Sequence, residues 1–138
     1  MNVTVNEVPT VNAGTAIGVC PGNSVKLLGS FGGSATSVTW SGGQGTFEDK
    51  HNLITTYTPT EEEFAQGTIT LTLTTNDPDG PCTPASSDVL VALYQNPVIN
   101  FSADRKKGCP VHCVNFSDSS VVTGGRINQW KWNFGDPS

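Results

Sequence analysis

Four cysteines, two histidines and twelve acidic residues are the side chains of this 138-residue sequence best equipped for chemistry. Cys109-Pro110-Val111-His112-Cys113 has the letters of a c-type haem attachment site in the wrong order, since attachment needs Cys-x-x-Cys-His. As a zinc site it lacks a second ligand pair at suitable spacing. A local Cys109–Cys113 disulfide is the reading that remains, with His112 exposed beside it. Cys20 and Cys82 lie 62 positions apart, each in a turn-like setting, Cys20-Pro21-Gly22-Asn23 and Asp79-Gly80-Pro81-Cys82. Four cysteines allow three pairings. The expected pairs are Cys20–Cys82 and Cys109–Cys113, which imply an oxidising compartment. Closing the longer loop would contribute roughly 3–4 kcal/mol on the chain-entropy account.

His51 stands between Lys50 and Asn52, two positions after Asp49, without an identifiable Ser or Cys nucleophile, and reads as part of a surface loop. The run Glu61-Glu62-Glu63 offers three carboxylates for metal or acid–base work. A capping box explains it better: Thr60 accepts from the Glu63 amide while the Glu63 carboxylate reaches back, and Gly67 ends the turn. Phe64 would then plug the core. Asp77 and Asp79, with neighbouring carbonyls, are the calcium candidates, Asp104 and Asp118 the material for another, because Ca²⁺ takes six to eight oxygens. Turn chemistry accounts for each of these carboxylates without a metal. No catalytic residue and no cofactor other than this calcium is read from the chain. Asn2-Val3-Thr4, Asn100-Phe101-Ser102 and Asn115-Phe116-Ser117 fit the N-glycosylation pattern, but two of them fall in expected strands.

Composition narrows what can position such groups. Only 14% of residues are charged, with 15 Gly and 9 Pro, so the Lys, Glu, Ala and Leu that long amphipathic helices need are scarce. No apolar run approaches the roughly 20 residues that span a bilayer. The first residues, Met1–Asn6, lack a basic-then-apolar leader, so any export signal is expected outside this stretch. Seven basic against twelve acidic residues give a net charge of −5. The only basic cluster is Arg105-Lys106-Lys107, too little to displace counterions from nucleic acid.

An internal repeat sets the organisation. Pro9, Cys20-Pro21, Val25, Leu27, Ser30, Gly32-Gly33 and Trp40 align with Pro97, Cys109-Pro110, Val114, Phe116, Ser119, Gly124-Gly125 and Trp130. The apolar pair follows the cysteine by five and seven positions in both copies. Residues 9–96 thus form one repeat and 97–138 the first part of a second, expected to stop in mid-domain. Residues 1–8 match the strand-then-proline layout of 91–97. They are either the tail strand of a preceding repeat or the first strand of this one.

Alternation with period two marks half-buried strands. Thr68–Thr74 points Ile69, Leu71 and Leu73 inward. Ser24–Leu28, Ser37–Trp40, Asn52–Thr58 and Asp88–Tyr94 read the same way, with Val25, Leu27, Val38, Trp40, Val89, Val91 and Leu93 on the core face. The second copy adds strands at Ile99–Ala103, Val114–Phe116 and Ile127–Phe134. In the last of these Trp130, Trp132 and Phe134 share one face, left uncovered. Short strands with Gly and Pro turns predict an all-β antiparallel sandwich.

Trp130-Lys131-Trp132-Asn133-Phe134-Gly135-Asp136 resembles the Trp-x-Phe-Gly-Asp-Gly strand and turn of the polycystic kidney disease (PKD) domain. Gly108-Cys109-Pro110 and Cys113-Val114-Asn115-Phe116-Ser117-Asp118 resemble its lead-in. Asn133 replaces the usual Asp, and Pro137 stands where Gly is expected. Residues 9–96 resemble a sister immunoglobulin-like (Ig-like) repeat through Cys20-Pro21-Gly22, Val38-Thr39-Trp40-Ser41-Gly42 and Leu71–Asp77. The resemblance implies an Ig-like sandwich followed by the N-terminal half of a PKD sandwich, with Trp40, Trp130, Trp132, Phe134, Gly135 and Asp136 as core signature. Such repeats occur in large secreted or cell-surface proteins of Bacteroidetes-type bacteria, and supply no catalytic residue.

The expected function is accordingly a non-enzymatic spacer or adhesive segment of a tandem array. Its partners would be neighbouring repeats of the same polypeptide, a surface glycan or protein, or another chain that pairs with the strands of 97–138. The alternative is an accessory module of a secreted hydrolase that binds polysaccharide or protein. A glycan site usually shows a solvent-facing aromatic platform, whereas Trp40, Trp130 and Trp132 are expected in cores.

Overall fold

The computed structural model describes residues 7–76, 82–108 and 113–135. The chain divides into two units, Met1–Tyr94 and Gln95–Ser138. Among the described residues the fold is all-β apart from one short helix.

In the first unit, β1 (Thr10–Asn12) pairs with β4 (Ser30–Gly32) in a two-stranded ribbon. A four-stranded sheet runs in the order β2 (Ile17–Val19), β9 (Ser86–Leu93), β8 (Thr68–Thr75), β5 (Val38–Ser41). A three-stranded sheet runs β3 (Val25–Leu28), β7 (Ile54–Thr58), β6 (Thr46–Phe47). All pairings are antiparallel except β2 with β9, which is parallel. The helix α1 (Glu61–Gln66) links β7 to β8.

The period-two pattern is what closes this unit. Ile69, Leu71 and Leu73 on β8 and Val89, Val91 and Leu93 on β9 are buried, while Thr68, Thr70, Asp88 and Leu90 between them face solvent. Threonine serves that wet face because its branched Cβ fits a pleated strand. Thr72 also reaches across the ladder, its hydroxyl donating to Asp88 Oδ1 at 2.7 Å. From the other sheet Val25, Leu27 and Tyr57 enter the same cluster as Val38 and Trp40. Trp40 is 1% exposed, and its indole N–H is satisfied by the Asn52 carbonyl at 3.1 Å, as a buried indole requires. These two sheets, facing each other across one core, make the sandwich.

Four strands escape the alternation argument. β1, β2, β4 and β6 are two or three residues long, too short to complete even two periods.

In the second unit, β10 (Phe101–Ala103) pairs antiparallel with β11 (Phe116–Asp118), and Val98 bridges Val121 beyond them. Asp104 pins the open end, accepting from the Asn115 backbone N–H at 2.9 Å and from its side-chain amide at 3.0 Å. The strand expected over Ile127–Phe134 is not present as a strand. Side chains hold this segment to the hairpin instead: Trp132 meets Phe101 edge-on at 5.4 Å and Phe116 at 5.7 Å, and Phe134 meets Phe116 at 5.0 Å. Among the described residues no helix is long and apolar enough to cross a membrane.

Burial predicts a contrast between two leucines on neighbouring strands. Leu71→Ala, at a fully buried site, should cost about 3 kcal/mol. Leu90→Ala, half exposed, should stay within about 0.5 kcal/mol. Urea unfolding followed on the amide signals of β8 measures both.

Candidate functional site

Two of the perturbed ionisable groups among the described residues, Tyr57 and Glu63, meet where α1 begins. Thr60 is the N-cap of α1 and Gly67, at φ 84°, its C-cap. The capping box is present as expected: the Glu63 amide donates to Thr60 Oγ1 at 3.3 Å, and the Thr60 amide donates to Glu63 Oε2 at 2.9 Å. The carboxylate does more than cap. Glu63 is 1% exposed, and its Oε1 accepts from the Tyr57 hydroxyl and from the Gln44 amide, each at 2.7 Å. The Tyr57 hydroxyl in turn accepts from the Gly45 amide at 2.7 Å. Helix start, central strand β7 and the glycine turn before β6 are thus tied to one another through one carboxylate and one phenol.

Glycine is required for this approach. Gly43 has φ 68°, and a Cβ there would collide with the Tyr57 hydroxyl. At Gly45 a Cβ would strike the Thr58 carbonyl. Only a turn without side chains brings its amides onto the buried oxygen atoms.

Electrostatics follow from this geometry. Burial pushes the Glu63 carboxyl pKa upward, but the hydrogen bonds from Gln44, Tyr57, Thr60 and Gly45 outweigh it and hold the group below its ordinary value. Tyr57 is pushed up to about 12, by burial first and by the Glu63 hydrogen bond second. At neutral pH the pair is therefore a carboxylate with a neutral phenol. Each Glu63 oxygen accepts from donors of the protein itself, so the arrangement clamps three segments together, at the floor of a shallow open depression that Glu63 shares with Gly43, Gln44, Gln66 and Thr70.

The other expected site residues are dispersed. His51 is exposed, its Nδ1 lying 3.2 Å from Thr39 Oγ1 and its amide donating to Asp49 Oδ1 at 2.9 Å. Asp77 and Asp79, the calcium candidates, lie outside the described residues, as do Cys109, His112 and Asp136. Asp104 serves the hairpin contact above. Asp118 accepts from the Ser120 hydroxyl at 2.6 Å and from the Trp130 indole at 2.8 Å. The Ser120 hydroxyl is the main cause holding its carboxyl below the ordinary value. Gly135 takes φ 71°, with its amide donating to Asn133 Oδ1 at 2.9 Å, an Asx turn. Among the described residues no group of three or more metal-binding side chains converges.

The expected Cys20–Cys82 bridge is corrected by the strand register. Cys20, Cys82 and Cys113 are free cysteines. Val19 sits opposite Leu93 at the C-terminal end of β9, with the Tyr94 amide on the Val19 carbonyl. Cys82 precedes the other end, where the Ala85 carbonyl accepts from Thr75. From Leu93 back to Ala85 the strand rises about 25 Å at ~3.3 Å per residue. The three residues from Ala85 to Cys82 recover at most about 11 Å of it. Disulfides need Cα atoms within about 7 Å, so this fold keeps the two thiols apart.

Trp40 lies in the core as expected, but Trp130, Trp132 and Phe134 are 52%, 39% and 66% exposed. Trp130 and Trp132, with Phe101 and Ile99, border an open groove of about 410 Å³, edged by Asp118, Gln129 and Lys131, and Phe134 stacks on Trp132. Comparison of the chain with family models, with curated proteins and with solved structures finds no match.

The clamp predicts instability at both ends of the pH scale. Glu63 has a lowered folded pKa, so its contribution is complete above the ordinary carboxylate value of about 4.3 and is lost as pH falls through the folded value. Tyr57 has a raised folded pKa, so its contribution is complete below about 10 and fades as pH rises toward 12. Glu63→Gln should cost on the order of 2 kcal/mol at neutral pH, because a donor then faces buried donors, and should flatten the acid limb. Tyr57→Phe should flatten the alkaline limb. Urea unfolding across pH measures all four. Thiol titration of the native protein, joined to non-reducing peptide mapping, should show Cys20 and Cys82 reactive and no peptide joining them.

Proposed function

We propose that this chain is a non-enzymatic spacer or adhesive segment of a tandem array of Ig-like and PKD-type repeats, in a protein secreted to or held at the cell surface. The observation that carries the reading is the closure of the Glu63–Tyr57 pair. Glu63 and Tyr57, both perturbed, are spent on joining a turn, a strand and a helix. Perturbed groups of this kind mark active sites when a cleft leaves them free for a ligand, and here, although Glu63 borders a shallow depression, the protein's own amides and the Tyr57 hydroxyl occupy its oxygens. The internal repeat supplies the array, and the residues resembling a PKD domain supply the second module. The role asks for no cofactor and draws on no bridge between Cys20 and Cys82. Its proposed partners are the neighbouring repeats of the same polypeptide.

The alternative, an accessory module that binds polysaccharide or protein, gains from one observation. Trp130 and Trp132 are partly solvent-exposed beside polar groove residues, where the sequence pattern placed them in a core.

A load-bearing spacer should resist stretching as a unit. Pulled from its ends in a single-molecule force experiment, residues 9–96 within the full chain should open in one cooperative step, releasing roughly 300 Å of contour at ~3.5 Å per residue. Gradual, stepless extension of this unit would refute the spacer role. Glutamine at position 63 should lower the opening force.

A further inference from the structure

Among the described residues of the second unit, one apolar face remains largely exposed. Phe101, Phe116, Trp130, Trp132 and Phe134 are 56%, 42%, 52%, 39% and 66% exposed. They form one continuous surface: Trp132 contacts Phe101, Phe116 and Phe134 through ring centroids 5.4 to 6.0 Å apart, and Trp130 joins it at the groove, next to Ile99. Trp130 is held in place, its indole donating to Asp118 Oδ2, while Asp118 is itself fixed by Ser120. The surface is therefore ordered by its own contacts before any partner arrives.

We propose that this face is an interface between two copies of the chain, packed against each other about a two-fold axis. Area decides the occupant. At roughly 200 Å² per ring-bearing side chain, the five aromatic residues leave about 500 Å² uncovered, and Ile99, 79% exposed, extends the same face. The rings of two such faces together offer about 1,000 Å² and Ile99 adds to it, which reaches the roughly 1,000 Å² that a biological interface should clear. A monomer seldom exposes a contiguous apolar patch of more than a few hundred Å².

Chemistry favours the same answer. A two-fold interface uses one patch twice, so the patch must complement itself. A surface of rings does so, because each ring offers a negative face and a positive edge, and edge-to-face or offset pairs form between identical groups. The groove carries both signs of charge, Asp118 and Lys131, so a two-fold copy can set opposite charges together. Sheet faces pack about 10 Å apart with interdigitating side chains. The second copy thereby does for this unit what the three-stranded sheet does for the first. The inference concerns the second unit, which the proposed function reads as a further repeat of the array, and its test does not depend on the role of the first unit.

Sedimentation equilibrium of the full chain, from low to high micromolar concentration, tests it. The expected result is a reversible dimer, with tryptophan emission moving to shorter wavelength as the dimer fills. Ile99→Asp places two like charges in the interface and should weaken the dimer at least tenfold, whereas Leu28→Asp, on the exposed face of β3 in the first unit, should leave it unchanged. Phe134→Ser, at the most exposed of the five aromatic residues, gives the same readout should Ile99→Asp disturb the hairpin, whose integrity the amide signals of β10 and β11 report. A monomer at every concentration overturns the proposal. So does a dimer insensitive to both variants, or a monomer whose tryptophan emission is quenched by soluble oligosaccharide, which would assign the groove to a saccharide.

Discussion

A carboxylate buried to 1% exposure must be compensated or neutralised, and the first unit is arranged around that demand. Glu63 remains ionised because two backbone amides and a phenol converge on it, and each of them arrives from a different segment. The glycine turn can reach it only because Gly43 and Gly45 carry no Cβ. β7 can reach it only because Tyr57 points into the core at that register, opposite Val25 and Phe47. Loss of any one donor leaves a buried charge partly unsatisfied, which is costly in a medium of low polarity. The hydrophobic core fixes how the two sheets face, and this polar junction fixes how the loops at that end are seated.

The same strand grammar has different outcomes in the two units. In the first, alternating residues of β8 and β9 meet those of β3 and β7, and Trp40 disappears into the space between. In the second, Trp130 occupies the position that the repeat aligns with Trp40, yet it is half exposed and its indole is satisfied by a carboxylate at the surface. An amphipathic strand pattern states which side chains want burial. It does not supply the layer that buries them. The contrast between two tryptophans with one sequence context is therefore a contrast in what stands opposite.

Much of the fold was legible in the chain. β3, β5, β7, β8 and β9 follow from alternation, and α1 from its capping residues, because both signals are local and span several residues. The all-β class follows from scarce helix formers and abundant Gly, Pro and Thr. The short strands β1, β2, β4 and β6 carried no such signal, since two or three residues cannot show a period. Ile127–Phe134 showed a clear alternation and still lacks a ladder, because a backbone strand needs a neighbour aligned with it. The candidate site was half legible. The Thr60–Glu63 box is a four-residue pattern, whereas the Tyr57 and Gln44 contacts join positions 6 and 19 residues from Glu63 without any spacing rule to announce them.

Sequence by itself determined the period of the longer strands, the caps of the helix and the balance of charge. All of these depend on neighbours within a few residues or on simple counting. Tertiary structure alone decided which ends of the strands come together. Turn-like surroundings made Cys20 and Cys82 look like partners. The parallel pairing of β2 with β9 sets one at each end of an eight-residue strand, and a covalent bond of fixed reach cannot cross that length. It also decided that Glu63 would be a buried anchor instead of a solvated cap, since only the folded register places a phenol and a glycine turn on its carboxylate.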